Sequence, residues 1–150
     1  MPLSEEYDRI KASALRYLAN REHSQYELRN KLSKKFDSIE SIQSVITELA
    51  DSGYQSDQRF IESFIRSKVS RGYGPNLIEY ELRQHGIPSL YIDRCYHQNQ
   101  IVWRDKIAAL YKKKFTQADS LDSQKKQKII RFFRRKGFDA DMVLQYLKHQ

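Results

Sequence analysis

Two stretches of the chain share one pattern of apolar residues around a glycine: ELRQHGIPSLYIDRCY (residues 81–96) and FFRRKGFDADMVLQYL (residues 132–147). Aligning Gly86 with Gly137 sets the offset at 51 residues. The same offset pairs Ile78 with Ile129, Leu82 with Phe133, and Ile87 with Phe138. Near the start of the chain, Leu28, Leu32 and Phe36 take these roles, with one residue fewer and no glycine. The pattern predicts three repeated units of about 50 residues each.

Helix signals divide each unit into three segments, because apolar residues recur at helical spacing between capping residues. Ser24 to Glu27 form a capping box, Gly53 suits a left-handed helix end, and Pro75 suits a first helical turn. Other predicted caps are Asp37 or Ser38, Ser56 or Asp57, Pro88, Asp122 or Ser123, and Asp139, and a long helix is predicted around Ile101 to Phe115. The 5 Gly and 3 Pro disfavour a turn-rich β-sandwich.

We therefore predict an all-α fold of three tandem three-helix repeats, each resembling a helix-turn-helix unit, in an elongated, curved array. The predicted boundaries are residues 1–53 for repeat 1, 54–99 for repeat 2 and 100–150 for repeat 3. A repeat with one apolar face buries that face against its neighbours. Stacked helical arrays more often serve as binding surfaces than as active sites, which favours a binding function.

Positive charge is concentrated in repeat 3. The chain carries a net charge of +8, and residues 101–150 hold 13 Lys or Arg against 5 Asp or Glu, whereas the preceding residues are balanced. The candidate binding residues there are Lys112, Lys113, Lys114, Lys125, Lys128, Arg131, Arg134 and Arg135. Lys128, Arg131 and Arg135 line one face of a helix and are suited to a phosphate backbone or an acidic groove. The alternative is a solvated helix face with no partner.

The residue patterns of catalytic and metal sites are missing from the sequence. The four His include no metal-binding pair, and we expect each at the surface or at a helix end. The single Cys95 is predicted to be a core residue, and residues 72–75 (GYGP) form a helix–helix turn rather than a phosphate loop, because Pro75 lacks an N–H donor. We expect no enzymatic activity, no cofactor and no metal. Without a signal peptide or an 18-residue apolar run, we expect a cytoplasmic protein with no membrane partner.

One segment resembles a known family. QSDQRFIESFIRSK (residues 55–68), RGYGP (71–75) and ELRQHGI (81–87) are similar to the central signature of the RecX family of bacterial RecA regulators. RYLANREHSQYEL (16–28) is similar to the N-terminal motif of that family, and KGFD (136–139) fits its looser third unit. The resemblance covers nearly the whole chain.

The resemblance implies an all-helical, non-catalytic regulator of recombination, DNA repair and the SOS response. Family members bind in the groove of the RecA–DNA filament and inhibit its ATPase, strand exchange and extension. We therefore expect the RecA filament as the partner, with possible direct contact to single- or double-stranded DNA, and a monomeric protein. The matching motifs add Arg21, Arg66, Lys68, Arg71 and Tyr73 as candidate contacts, and Tyr73 is equally compatible with packing in the turn. The alternative function is general DNA binding through repeat 3.

Overall fold

The computed structural model describes residues 2–115 and 121–149, with the side chains of residues 2–4 left out, and within these ranges it contains nine α-helices and no strand. The predicted all-α class is confirmed. The helices are α1 (Pro2–Asn20), α2 (Gln25–Ser33), α3 (Ile39–Asp51), α4 (Asp57–Ser70), α5 (Pro75–Gln84), α6 (Ser89–Gln98), α7 (Trp103–Lys114), α8 (Ser123–Lys136) and α9 (Ala140–Lys148).

Side-chain caps fix where several helices begin. The Ser24 hydroxyl accepts a hydrogen bond from the Glu27 N–H (3.0 Å), which starts α2 as the capping box predicts. Ser38 and Asp122 cap α3 and α8 in the same way, over 3.2 Å and 2.8 Å. Each cap satisfies an N–H that the first helical turn leaves without a backbone partner.

One predicted helix is shorter than expected. The apolar pattern predicted a helix around Ile101 to Phe115, but α7 begins at Trp103 and ends at Lys114. Gln100, two residues beyond the end of α6, has a φ of 53°, a left-handed conformation usually occupied by glycine. The Ile101 N–H then donates to the Tyr96 carbonyl (3.1 Å), so this residue belongs to the turn.

The chain forms two compact units, unit 1 (Met1–Phe64) and unit 2 (Ile65–Gln150), with the boundary inside α4. Helices α1, α2 and α3 enclose the core of unit 1. Its buried members are Ile10, Ala14, Leu28, Leu32, Ile42, Val45, Ile46 and Leu49. The boundaries predicted for the three repeats divide the chain more finely than these two units and stay a prediction.

Polar contacts also join α1 to α3 in unit 1. Tyr7 donates a hydrogen bond to Glu48, and the Lys11 ammonium binds the same carboxylate at 2.8 Å. The bond to Glu48 raises the pKa of Tyr7 to about 12. The Lys11 and Tyr7 bonds hold the pKa of Glu48 below its ordinary value. The three groups therefore form a connected network across the two helices.

Unit 2 contains the repeated pattern from which the fold was predicted. Gly86 and Gly137 both adopt left-handed conformations, with φ of 75° and 100°. The next residue in each case donates its N–H back to the helix: Ile87 to the Leu82 carbonyl (3.2 Å), and Phe138 to the Phe133 carbonyl (2.9 Å). All four of these apolar side chains are buried, as are Ile78 and Ile129. The alignment of the two stretches is therefore confirmed in three dimensions.

A core of aromatic and aliphatic side chains joins α7, α8 and α9. Its buried members are Ile107, Tyr111, Ile129, Phe133, Phe138, Val143, Tyr146 and Leu147. The Trp103 and Phe133 rings each meet the Phe138 ring edge to face, at centroid distances of 5.9 Å and 5.6 Å. This packing fixes the end of α8 on the neighbouring helices.

Replacing Asp122 with alanine should destabilise the protein by about 1 kcal/mol, because α8 loses the carboxylate that caps its first turn. Asp139 provides a matched control, since it stands at the same position of α9 but makes no capping bond with its side chain. Urea unfolding should show a larger decrease in the free energy of unfolding for Asp122→Ala than for Asp139→Ala. Equal losses in the two variants would mean that the capping bond contributes nothing.

None of the helices in the part of the chain that the structure describes combines the length and apolar character needed to cross a membrane.

Candidate functional site

The ends of two helices meet in unit 2 and form what we term the glycine joint: Gly74, Pro75, Asn76, Lys136 and Gly137. The Gly74 N–H donates to the Lys136 carbonyl (2.7 Å), and the Asn76 N–H donates to the Gly137 carbonyl (2.8 Å). The N-terminus of α5 and the C-terminus of α8 would otherwise leave these groups without partners. The positive end of one helix dipole also faces the negative end of the other, which adds attraction.

Only glycine fits at the two central positions of the joint. A Cβ on Gly74 would lie 2.7 Å from both the Gly137 carbonyl oxygen and the Phe138 ring. A Cβ on Gly137 would lie 2.5 Å from Leu77 Cβ, and its left-handed φ of 100° disfavours any other residue. The close approach brings the residue before Gly74, which is Tyr73, next to the end of α8.

The ring of Tyr73 is surrounded by cations. Lys68 Nζ and Lys136 Nζ each lie 5.0 Å from the ring centroid, and Arg71 Cζ lies at 5.9 Å. All three distances are within the range of cation–π attraction. Lys68 also binds Glu81 (2.9 Å). Tyr73 is half-buried, so it both packs in the turn and holds basic side chains in place.

Beside Tyr73 lies a cleft of about 520 Å³, which we term the basic cleft. The described residues that line it are Tyr73, Lys114, Phe115, Lys128, Phe132, Arg135 and Lys136. Four of these are cations, three are aromatic, and none is acidic. Like charges gathered in one cleft raise the local positive potential and attract anions.

Helices α7 and α8 supply most of the cleft. Lys114 and Phe115 stand at the end of α7. Lys128, Phe132, Arg135 and Lys136 follow the four-, seven- and eight-residue spacing that places residues on one face of α8. Lys114 Nζ lies 5.7 Å from the Phe132 centroid, and the Phe115 and Phe132 rings meet at 87°. Aromatic and cationic groups therefore alternate along the wall.

The structure brings some of the predicted contact residues together and leaves others apart. Tyr73, Lys114, Lys128 and Arg135 line the basic cleft, and Lys68 and Arg71 flank it through Tyr73. Outside the cleft, the exposed residues are Arg66 on α4, Lys112 and Lys113 on α7, and Arg131 and Arg134 on α8, and Lys125 is half-buried at the start of α8.

Three lining residues escaped the sequence prediction: Phe115, Phe132 and Lys136. Helical spacing offered a signal for two of them, because Phe132 lies four residues from both Lys128 and Lys136 on α8. Lys136 belongs to the basic run of α8 but was not predicted as a contact. Phe115 carried no comparable signal, since its position follows from the packing of α7 against α8.

Arg21, the predicted contact in unit 1, pairs with a neighbouring acid. Its guanidinium donates two hydrogen bonds to the Glu27 carboxylate, one of them at 3.0 Å. This pairing raises the pKa of Arg21 above its ordinary value. Arg21 is still exposed, but part of its hydrogen-bonding capacity is used within the chain.

His23 lies between the end of α1 and the start of α2, which agrees with the predicted helix-end position. Its side chain is buried and only 1% exposed. Nδ1 lies 3.0 Å from the Arg21 carbonyl oxygen, and Nε2 lies 2.8 Å from the Lys31 ammonium. The neutral ring satisfies both partners when Nδ1–H donates and Nε2 accepts. Burial, opposed in part by the bond to the Arg21 carbonyl, holds the pKa of His23 below its ordinary value.

We expect the stability of the protein to fall as the pH drops below about 6.5, the ordinary pKa of histidine. Below this pH His23 binds a proton in the unfolded chain but stays neutral in the folded chain, so acid favours unfolding. This effect continues until the pH reaches the lower pKa that His23 has in the folded chain. Urea unfolding across this range should show a shallower pH dependence for His23→Gln. His97→Gln is the control, because His97 is exposed; equal pH dependence in both variants would exclude this role for His23.

No group of three His, Cys, Asp or Glu within residues 2–115 and 121–149 has the arrangement of a metal site. Cys95 is buried, as predicted for a core residue.

The arrangement of the basic cleft is suited to binding anions and aromatic groups.

Comparison with known families supports the arrangement of repeats. Three family models match successive parts of the chain. They are described as the first, second and third three-helix domains of RecX, and they match residues 11–49, 56–95 and 104–147.

Proteins of similar length match nearly the whole chain. The Regulatory protein RecX of Legionella pneumophila (strain Corby) is 38% identical over 136 residues, which cover 91% of each chain. The chain belongs to the RecX family. The RecX protein of Pseudomonas putida (strain GB-1) is 34% identical over 134 residues, covering 89% of this chain and 86% of its own. The resemblance found in the sequence is thereby confirmed, and RecX proteins are regulatory proteins rather than enzymes.

Solved RecX structures share the fold. A crystal structure of regulatory protein RecX superposes with a TM-score of 0.80 at 19% identity, covering 97% of this chain and 74% of that one. The crystal structure of RecX from Lactobacillus salivarius gives a TM-score of 0.73 at 21% identity and covers 97% of both chains. At these identities the likeness extends to the helical architecture alone.

Proposed function

We propose that this protein is a negative regulator of RecA that binds in the groove of the RecA–DNA filament and inhibits ATP hydrolysis, strand exchange and filament extension. The observation that carries the proposal is the 38% identity with a Regulatory protein RecX across 91% of the chain. The three RecX domain matches add support, because they follow one another along the chain in the order first, second and third.

The basic cleft is consistent with such a partner. A filament groove presents acidic DNA phosphates beside protein surfaces, and the cleft offers four cations next to three aromatic rings. Exposed cations outside the cleft, such as Arg66 and Arg131, extend the positive surface. Long-range attraction between opposite charges also speeds association with a charged filament. In this proposal the protein acts as a monomer in the cytoplasm, where the chromosome is accessible.

General DNA binding through repeat 3 is the second candidate function. It is favoured by the concentration of charge, because residues 101–150 account for the whole net charge of +8. A protein of this kind would bind free DNA as well as it binds a filament. The two functions therefore differ in whether binding depends on RecA, and an experiment can test this by comparing DNA with and without RecA.

Salt dependence of binding separates the two candidates. We would sediment RecA filaments on single-stranded DNA with this protein at increasing NaCl, and measure its binding to the same DNA without RecA in parallel. Binding to bare DNA should weaken steeply, with a log–log slope of about −0.7 for each neutralised phosphate of a single strand. Retention on the filament at salt that abolishes DNA binding supports the proposed function. Loss of both at the same salt favours general DNA binding.

A further inference from the structure

The basic cleft places two kinds of group side by side. Its cations suit phosphates, and its aromatic rings suit flat apolar groups. We propose that the cleft binds a segment of single-stranded nucleic acid, with phosphates on Lys114, Lys128 and Arg135 and an unpaired base against Phe115 and Phe132. This inference deepens the proposed function and rests on it for the source of the strand, but the binding itself requires no recombinase.

The phosphate contacts follow from the placement of the cations. Lys128 and Arg135 are two turns apart on the same face of α8, a distance of roughly 10 Å along the helix axis. Lys114 joins the lining of the cleft from the end of α7. Cations so separated can contact more than one phosphate of a strand, and each contact releases counterions from the nucleic acid.

The base contact follows from the two phenylalanines. Phe115 and Phe132 lie 5.4 Å apart with their rings at 87°, and both are half-buried, so they form a corner with surface left open to the cleft. Stacking of a base on an aromatic side chain is a common feature of single-strand binding and tolerates any sequence. Tyr73 differs in degree, because three cations, Lys68, Arg71 and Lys136, surround its ring, whereas Lys114 approaches the ring of Phe132.

The size of the cleft favours a single strand over a duplex. Its volume of about 520 Å³ lies in the range of pockets that enclose one small molecule. A double helix is far too wide to enter and keeps the faces of its bases stacked within the duplex. An unpaired nucleotide presents both a phosphate and an accessible base face. Only a single strand can therefore use the cations and the rings together.

The test compares two pairs of substitutions that remove equal charge. Lys114→Ala with Arg135→Ala removes two cations of the cleft, whereas Lys113→Ala with Arg134→Ala removes the adjacent residues of the same type, which lie outside it. Fluorescence anisotropy with labelled oligothymidylate should show binding at least about 10-fold weaker for the first pair and within about 3-fold of the full chain for the second. The log–log salt slope of the first pair should become shallower by about 1.4.

A third variant tests the base contact. Phe132→Leu keeps an apolar side chain but removes the aromatic face, so single-strand binding should fall about 5-fold while duplex binding is unchanged. The inference would be overturned if the two charge pairs lost equal affinity for oligothymidylate, or if the full chain did not bind oligothymidylate. It would also be overturned if Phe132→Leu lost as much affinity for duplex DNA as for single-stranded DNA. Because RecA is absent from this assay, these outcomes leave the proposed regulation of RecA standing. Conversely, normal single-strand binding without RecA inhibition would refute only the regulation.

Discussion

Replacing Gly137 with alanine should destabilise the protein by about 2 to 5 kcal/mol, the largest single-residue effect that we expect on stability. The left-handed backbone at this position disfavours a Cβ by about 1 to 2 kcal/mol. The new Cβ would also lie 2.5 Å from Leu77 Cβ and 2.8 Å from the Leu77 backbone nitrogen. Relieving such overpacking costs about 1 to 3 kcal/mol more. Urea unfolding followed by circular dichroism measures the sum.

Two other glycines separate these contributions. Gly53 has a φ of 84°, and a Cβ added there would meet nothing within 4 Å, so Gly53→Ala should show the backbone strain alone. Gly74 has a φ of −100°, so Gly74→Ala should show the crowding alone. If Gly137→Ala lowers the free energy of unfolding no more than Gly53→Ala does, the close approach of α5 and α8 at the glycine joint would be contradicted.

Replacing Lys128, Arg131 and Arg135 together with alanine should weaken binding to RecA filaments by about 10-fold or more. All three side chains are exposed, and two of them line the basic cleft. Each lost cation removes a favourable contact with an anionic partner. The free energy of unfolding should change by less than about 1 kcal/mol, because exposed cations contribute little to stability. Filament co-sedimentation and a urea titration measure the two quantities.

A control with the same change in net charge is available in unit 2. Lys106, Lys126 and Lys148 are exposed on α7, α8 and α9 and do not line the basic cleft. Their combined replacement with alanine should leave filament binding within about 3-fold of the unmodified protein. Equal weakening in the two triple variants would show that overall charge, rather than this face of α8, determines the affinity.

Much of the fold was accessible from the sequence because its signals are local. The offset between Gly86 and Gly137 predicted two equivalent helix ends, and both residues have the same left-handed conformation. Ser24 was predicted as a cap, and Asp122 was one of two candidates for the cap of α8, because a capping side chain acts within its own turn. The turn at Gln100 was not predicted, because Gln100 adopts a left-handed conformation that is uncommon for residues other than glycine.

The candidate site was only partly accessible because it depends on tertiary contacts. The period of α8 predicted correctly that Lys128, Arg131 and Arg135 are exposed. It could not predict that Tyr73, from a turn far away in the sequence, lies beside Lys136. That proximity follows from backbone hydrogen bonds at the glycine joint, which involve no recognisable side-chain pattern.

The buried state of His23 was hidden for a similar reason. The sequence predicted a residue at the surface or at a helix end and did not decide between them, but the Arg21 carbonyl and the Lys31 ammonium satisfy both ring nitrogens inside the fold. A polar side chain can be buried without large penalty when its partners are supplied in this way. The partners come from both sides of the histidine, and spacing alone does not reveal them.

The most direct test of the proposed function is the rate of ATP hydrolysis by RecA on single-stranded DNA, measured while this protein is added at substoichiometric amounts. We predict inhibition at well below one copy for each RecA monomer, because the proposed block of filament extension would affect more subunits than one bound copy touches. No inhibition at any ratio, together with salt-sensitive binding to bare DNA, would contradict the proposal and leave a general DNA-binding protein.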